Sequence, residues 1–213
     1  GMLNLEQYSN VNNPKIHSEI TGPQIWDQLE GNISMCAVGL GTTGTLVGLS
    51  NYFKSKDGNI DIVAGIRSPN NMVPGLRTKN LLKEISFDWR SSADFSYEIT
   101  SEASYRTSLA LIRLGILAGP SSGLALESLY KKIEEHAKND TLETKRKEDG
   151  TIPCVFVCPD TMHTYIDEYF EVLPPSLFPE VIHKEKNVTL DDAHPTLTIS
   201  ANELISSLNT DTD

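Results

Sequence analysis

The sequence is poor in the residues that mark several classes of protein. It has only 3 cysteines in 213 residues, Cys36, Cys154 and Cys158, which is too few for a disulfide framework and does not match zinc-site spacing. Each lies in or beside an apolar run, so we expect all three to be buried as small hydrophobic side chains. This cysteine usage is typical of a reducing compartment, and we expect a cytoplasmic protein.

Long apolar runs and an excess of basic charge are also missing. No stretch is apolar over a length that spans a bilayer, and no signal-peptide core is present, so we expect no membrane partner. The formal net charge is -11, which argues against a nucleic-acid partner because binding to phosphate backbones needs clustered Lys and Arg. None of the 5 histidines pairs with another ligand-type residue at metal-ligand spacing, so no metal site is predicted.

The sequence does contain apolar, β-branched runs that alternate with helical periodicity. Strands are predicted at residues 35–38, 60–66, 97–99 and 153–158, and helices at residues 43–53, 100–113, 123–136 and 162–170. Near-continuous apolar strands alternating with helices are typical of a parallel sheet covered on both faces. The predicted fold class is therefore α/β, a three-layer sandwich with a mostly parallel sheet and helices on both sides.

Three segments fall outside this rhythm. Residues 1–22 are polar and rich in Asn and predict a loop, and the charged residues 138–150 predict a solvated surface loop. From Pro174 onward the alternation is lost, so we expect a domain of residues 1–173 and a linker or tail of residues 174–213. Residues 198–205 in that tail carry a capping-box pattern, which predicts a helix start.

The most informative segment is the glycine loop of residues 39–45, Gly-Leu-Gly-Thr-Thr-Gly-Thr, which joins a strand to a helix. Glycines allow a tight turn, and a helix N-terminus adds partial positive charge, so the segment suits an anion. A terminal phosphate fits best because three Thr hydroxyls crowd one turn. A dinucleotide site would need an acid after the next strand, where Arg67 stands and would suit only NADP. The alternative without a ligand is a glycine turn that only allows the helix to pack closely against the strand.

Four collinear motifs resemble the cysteine synthase and cystathionine β-synthase family, the fold type II pyridoxal phosphate (PLP) enzymes. Residues 41–45 resemble that family's G-T-G-G-T loop. Upstream, residues 7–26 resemble its asparagine-rich stretch and its T-G-P-E-I-W motif. Downstream, residues 119–123 resemble its G-I-S-S-G motif, and residues 158–165 resemble its L-P-D-S segment with the following Tyr. The order and spacing agree from about residue 5 to residue 172, and the resemblance implies the larger domain of that fold.

The resemblance implies roles for individual residues. The loop residues Gly41, Thr42, Thr43, Gly44 and Thr45 are expected to hold the PLP phosphate. Ser121, with Ser122 as the second candidate, is expected to hydrogen-bond the pyridine nitrogen, and Asp160 is expected to line the pocket. Without the resemblance, the two serines before Gly123 predict only a helix cap.

Thr43 departs from the family pattern, because the family usually has glycine there. If the position needs a positive φ angle, a β-branched residue is costly and the affinity for the cofactor falls.

The implied activity is PLP-dependent replacement at the β-carbon of an activated serine by sulfide, as in cysteine synthesis, with cystathionine formation as a close variant. Its substrate would be a small amino acid, and the family analogy implies a homodimer. Two alternatives stay open: a non-catalytic domain that binds a phosphate ligand or a partner protein, and an NADP-binding domain.

The family's Schiff-base lysine and its substrate-carboxylate loop lie upstream of the stretch matched by residues 7–17, and none of the twelve lysines here stands in a similar motif. We therefore expect this chain to lack the N-terminal half, to carry no catalytic residue and to be inactive alone, binding PLP weakly or only phosphate or sulfate. The start of the capping-box helix in the tail resembles a rhodanese-like domain, which suggests that such a domain follows.

Overall fold

The computed structural model describes residues 6–178, whose centre is a four-stranded parallel sheet. The strands are β1 (Met35–Gly39), β2 (Asp61–Arg67), β3 (Phe95–Ile99) and β4 (Cys154–Phe156). They lie in the order β3-β2-β1-β4, and Met35 of β1 is opposite Asp61 on one side and Cys154 on the other. The predicted α/β class with a parallel sheet is confirmed.

Helices cover both faces of this sheet. They are α1 (Asn12–Ile16), a π-helical turn (His17–Thr21), α2 (Gly22–Gln28), α3 (Gly44–Lys56), α4 (Trp89–Ser92), α5 (Ser101–Arg113), α6 (Pro120–Lys138) and α7 (Ile166–Val172). Short 3-10 turns occupy Leu81–Glu84, Leu142–Lys145, Met162–Tyr165 and Pro175–Leu177. No helix within residues 6–178 combines the length and the apolar character that crossing a bilayer requires.

The side chains of β1 alternate between two cores. Cys36 and Val38 pack with α3, whereas Met35 and Ala37 pack with α5 and α6. The residues of α3 in the first core are Leu46, Leu49 and Phe53, and those of α5 and α6 in the second are Leu111, Leu126 and Leu129. Because a strand buried on both faces needs apolar residues at every position, this packing explains why the strand sequences are continuous apolar runs.

The chain path places the carboxyl ends of β1 and β4 at a topological switch point. From β1 the chain passes through α3 to β2 and through α4 to β3, and it then returns through α5 and α6 to β4 on the other side of β1. Helix α3, which follows β1, packs on one face of the sheet, and α6, which precedes β4, packs on the other. The chain therefore separates on the two sides of the sheet here, and a crevice opens between the ends of β1 and β4. Open α/β sheets bind their ligands in such crevices.

The N-terminal segment differs from its prediction, because residues 12–21 form helical turns and not a loop. These turns are held by packing against α3. A Cβ added to Gly48 would lie 2.2 Å from the Pro14 carbonyl oxygen, so only glycine allows this approach. Their own apolar side chains, Ile16 and Ile20, are exposed. An amphipathic pattern was therefore absent from the sequence, and only the tertiary packing stabilises the turns.

Helix α6 begins at Pro120, and its N-cap residue is Gly119 without a side-chain cap. Ser121 and Ser122 lie inside the first turn, so the prediction that they cap the helix was wrong. The predicted strand at residues 153–158 is also too long, since only Cys154–Phe156 pair with β1 at the sheet edge.

Cys36 is buried as expected and Cys154 is half-buried. Cys158 is exposed, so its predicted burial was wrong. Cys158 stands beyond the last paired residue of β4, where the chain reaches the surface. The helix start predicted at residues 198–205 lies outside the described residues.

Candidate functional site

The glycine loop lies between the end of β1 at Gly39 and the start of α3 at Gly44. Two neighbouring segments press against it. A Cβ added to Gly41 would lie 2.7 Å from the Gly75 carbonyl oxygen, and one added to Gly44 would lie 2.0 Å from Asn13 Oδ1. Side chains at these two positions would therefore collide, which is the physical reason for glycine there.

The backbone N–H groups of the loop are available to a ligand. Among the described residues, the amides of residues 41–43 and of Thr45 have no hydrogen-bond acceptor, and that of Gly44 has only a long contact of 3.4 Å to Thr42 Oγ1. They stand at the N-terminus of the 13-residue helix α3. Unpaired amides at a helix start, where the dipole is positive, favour an anion such as a phosphate group.

Thr43 takes the strained conformation that its sequence position suggested. Its φ is +70° and its ψ is -7°, in the left-handed region that a β-branched residue rarely enters. The side chain is 3% exposed, and its Oγ1 is buried without a hydrogen-bond partner. Strain together with an unsatisfied buried hydroxyl is expected at a ligand site, where the bound group supplies the missing partner.

A cavity of about 220 Å³ brings three distant segments together at the switch point. Its lining residues are Gly39, Gly41, Thr42, Thr43, Thr45, Pro74, Gly75, Leu76, Ser121, Pro159 and Asp160. Six of the eight residues that the sequence nominated are among them. Gly44 and Ser122 do not line the cavity. Gly44 packs on Asn13. Ser122 Oγ is buried near the Cys158 thiol and forms no hydrogen bond of normal geometry.

Asp160 organises the wall opposite the loop. Its carboxylate accepts hydrogen bonds from Tyr165 Oη at 2.5 Å and, more weakly, from Ser121 Oγ at 3.5 Å. The hydrogen bond to the Asp160 carboxylate raises the pKa of Tyr165 to about 12, so the tyrosine stays a donor near neutral pH. Because the Ser121–Asp160 contact is this long, the Ser121 hydroxyl can turn and donate its proton to an acceptor on a ligand.

Two side chains that the residue pattern alone did not select hold the loop hydroxyls. Asn13 Nδ2 donates to Thr42 Oγ1 at 3.0 Å. The ring of His17 lies between Thr45 Oγ1 and Thr21 Oγ1, at 3.1 Å from each. Burial lowers the pKa of His17, so the ring is neutral at pH 7, with one nitrogen donating and the other accepting. The sequence showed an isolated histidine, and only the family resemblance included it in a motif.

The remaining wall comes from residues 74–76, which sequence reasoning missed. The segment is fixed by two backbone hydrogen bonds, from Arg77 N to Leu40 O at 2.9 Å and from Arg67 N to Arg77 O at 3.2 Å. The Pro74-Gly75 dipeptide was an available sign of a turn just after β2.

In the part of the chain that the structure describes, no lysine lines this cavity, and no three His, Cys or carboxylate residues lie close enough together to hold a metal ion.

Comparisons with known proteins show which proteins the chain resembles. Residues 1–143 match the model of the family described as pyridoxal-phosphate dependent enzyme. The chain is 29% identical to the cystathionine beta-synthase of Saccharomyces cerevisiae over 189 residues, which are 80% of this chain and 36% of that protein. It is 32% identical to cysteine synthase A of Escherichia coli over 153 residues, which are 63% of this chain and 47% of that enzyme. The chain thus spans a third to a half of the length of these relatives.

Proposed function

Because the chain belongs to the pyridoxal-phosphate dependent enzyme family, we propose that the cavity beside the glycine loop binds PLP in an enzyme of the cysteine synthase type. The observation that carries the proposal is the convergence of the glycine loop, Ser121 and Asp160 on one cavity at the switch point of the sheet. The residues fit the group, since the loop offers unpaired amides for a phosphate and the opposite wall offers a hydroxyl for a ring nitrogen.

The loop would hold the phosphate. The amides of residues 41–45 would donate to its oxygens, and the hydroxyls of Thr42 and Thr45, which Asn13 and His17 keep in place, would add further donors. Thr43 Oγ1 has no partner within the described residues and would gain one from the phosphate. Each donor is already fixed by the fold, so little ordering entropy is lost on binding.

The Ser121 hydroxyl would donate to the ring nitrogen, and Asp160 lies beside Ser121 on the same wall of the cavity. A neutral hydroxyl, unlike a carboxylate, does not stabilise a proton on the ring nitrogen. The unprotonated ring withdraws electrons less strongly. PLP, when bound, withdraws electrons from the amino-acid substrate and so permits loss of the group on its β-carbon. Replacement of that group by sulfide would complete a cysteine synthase reaction, with an activated serine as the substrate.

The chain alone is proposed to bind PLP reversibly and to lack turnover. No lysine lines the cavity in the described residues, and Lys132, the most buried lysine of the described part, lies on α6 against Glu135 and the Phe95 ring. The matched region covers only 47% of cysteine synthase A of Escherichia coli. Contacts to the substrate and to the cofactor aldehyde would come from a region equivalent to the rest of that relative.

A titration of the full 213-residue chain with PLP tests the phosphate site. We expect saturable binding, competition by inorganic phosphate, and loss of binding in the Gly44→Val variant, whose side chain would collide with Asn13. Thr144→Val, a change at an exposed residue outside the site, is the control and should bind as the original chain does. The proposal fails if PLP still binds to the Gly44→Val variant and inorganic phosphate does not compete with it. NADP should show no saturable binding.

The Ser121→Ala variant separates a PLP site from a plain phosphate site. We expect it to weaken PLP about tenfold, as for loss of one hydrogen bond, and to leave the affinity for inorganic phosphate unchanged. Equal effects on both ligands would instead favour a non-catalytic phosphate-binding domain. Borohydride reduction in the presence of PLP, followed by intact mass measurement, should label no single lysine stoichiometrically. Such labelling, together with cysteine formation from an activated serine and sulfide, would overturn the proposed inactivity of the chain alone.

A further inference from the structure

An open cavity of about 390 Å³ lies at the outer edge of the sheet, beside β3, and is called the edge cavity below. Its lining comes from the start of β3 and from the chain segment that precedes this strand. The lining residues are Lys79, Lys83, Trp89, Arg90, Ala93, Asp94, Phe95 and Ser96. None of them lines the cavity beside the glycine loop, so the edge cavity is independent of the proposed PLP site.

Strand β3 is the terminal strand of the sheet and has a free edge. It pairs with β2, and no other strand of the described residues lies against it. Its side chains alternate, since Phe95 and Tyr97 face α6 whereas Ser96 and Glu98 are exposed. A terminal strand keeps a row of unpaired N–H and C=O groups along its outer edge, and no proline protects this one. The edge is therefore a template for a further strand.

The edge cavity is rich in hydrogen-bond donors. Three cationic side chains line it, those of Lys79, Lys83 and Arg90, although the chain has a formal net charge of -11. Within residues 6–178, Lys83 and Arg90 form no ion pair. The Arg90 guanidinium stacks on the Trp89 ring, with its central carbon 4.7 Å from the ring centroid. Trp89 Nε1 is itself buried and has no acceptor in that part of the chain.

The acidic groups at this edge already have partners. Among the lining residues only Asp94 is acidic, and its carboxylate pairs with Lys54 Nζ at 2.7 Å. Glu98 of β3 pairs with Lys79 at 3.1 Å, and the Asp88 carboxylate caps the start of α4. The other two cations of the edge cavity therefore remain available to an acidic group from outside the chain.

We propose that β3 and the edge cavity form a docking site for an acidic, extended segment of a partner protein, which adds to the four-stranded sheet as a further strand. The backbone of that segment would pair with the free N–H and C=O groups of β3. Its acidic side chains, on alternate residues, would meet Lys83 and Arg90. A protein segment fits better than a small anion, because the cationic cavity adjoins an unpaired strand edge that only a second backbone can use.

Peptide binding to the full 213-residue chain, measured by fluorescence anisotropy, tests this site. The probe is a labelled, short peptide in which Val and Glu alternate. It is compared with the same peptide carrying Lys in place of Glu, and with the acidic peptide N-methylated on alternate backbone amides in each of the two registers. We expect saturable binding of the acidic peptide that weakens as salt rises, and no binding of the lysine peptide. One methylated register should bind at least about tenfold more weakly, because its methyl groups face β3 and prevent pairing.

Variants of the chain locate the bound peptide. Lys83→Gln and Arg90→Gln should each weaken binding of the acidic peptide about threefold, as for loss of one exposed ion pair. Arg106→Gln, at an exposed arginine paired with Glu102 on α5, is the control and should have no effect.

A fluorescence signal from the cavity itself completes the test. In a Trp26→Phe background Trp89 is the only tryptophan, and its emission should change when the acidic peptide binds. Glutarate serves as a small dianion. If glutarate displaces the peptide and neither methylated register differs from the unmodified peptide, the cavity binds small anions and strand addition is wrong. The proposal also fails if the acidic peptide does not bind, if the lysine peptide binds equally well, or if both Gln variants bind as the original chain does.

Discussion

The two ends of the sheet treat buried polar groups in opposite ways. At the amino end, Asp61 accepts from both His136 at 2.7 Å and Lys145 at 2.5 Å, and His136 also bonds Thr141 at 2.8 Å. At the carboxyl end, Thr43 Oγ1, Ser122 Oγ and Arg67 Nε are buried without ordinary partners. These are three of the five such atoms in the described residues, and the other two belong to Trp89 and Tyr130.

This contrast separates structural polar groups from groups that await a ligand. A polar atom that only supports the fold gains stability by being paired, and the amino-end cluster has this character. A polar atom that binds a ligand has its partner outside the protein, so it stays unpaired until the ligand arrives. Thr43 lines the cavity beside the glycine loop, and Arg67 lines a second cavity next to it, whereas Ser122, Asp61 and His136 line neither.

The largest expected effect concerns the amino end. Asp61→Ala removes the hydrogen-bond acceptor of the buried His136 ring and the ion-pair partner of the half-buried Lys145. It should destabilise the fold by about 3 kcal/mol, because the loss leaves the Lys145 charge uncompensated. Urea unfolding measures the change. Glu134→Ala, at an exposed pair with Lys138, is the control and should change stability by less than about 0.5 kcal/mol. Phosphate binding at the carboxyl end should survive Asp61→Ala, and its loss would contradict the separation of the two ends.

The second prediction concerns strain at the glycine loop. Thr43→Gly should stabilise the fold by about 1 kcal/mol, because relief of the left-handed conformation exceeds the entropy that glycine loses on folding. It should also weaken phosphate binding, because the Oγ1 donor is gone. The adjacent change Thr42→Gly is the control: Thr42 has no positive φ, so that change should destabilise. Loss of stability in Thr43→Gly would mean that the strain is absent.

A third prediction compares two fully buried serines. Ser104 Oγ donates to the Pro120 carbonyl at 2.6 Å, whereas Ser122 Oγ has no ordinary partner. Ser104→Ala should therefore destabilise by about 1 kcal/mol, and Ser122→Ala should be neutral or slightly stabilising. Chemical denaturation of the two variants side by side gives the difference. If both variants lose the same unfolding free energy, Ser122 Oγ is hydrogen-bonded in solution. Ser122 would then no longer count as a group without a partner.

The smallest effect is a pH dependence through His17. Burial lowers the pKa of His17 in the folded state below its ordinary value of 6.5, so the unfolded chain binds a proton more readily. Its contribution to stability is present above about pH 6.5 and is lost as pH falls towards the folded pKa. Unfolding free energies measured from about pH 7.5 to 5.5 should fall more steeply in the original chain than in His17→Gln. Identical slopes would place His17 in solvent.

Much of the fold followed from periodicity. The strands β1 and β2 and the helices α3 and α5 lie within one to three residues of their predicted bounds, since each carries a clear apolar pattern. Residues 12–21 could not be predicted, because their helical turns depend on contact with Gly48 and not on a pattern of their own. The Pro74-Gly75 wall was missed for a similar reason: its role depends on backbone bonds to Leu40 and Arg67.

The sequence by itself determined the sheet, the anion-type loop after β1 and the family resemblance, because apolar periodicity, glycine and helix-start chemistry are local properties. Only the tertiary structure decided which distant groups meet. It brought Ser121 and Asp160 to the glycine loop and set Arg67 beside Arg77 across a cavity. It also paired Asp61 with His136 and Lys145. The physical reason is that the burial and pairing of a polar group depend on strand order and chain crossover, which no local pattern encodes.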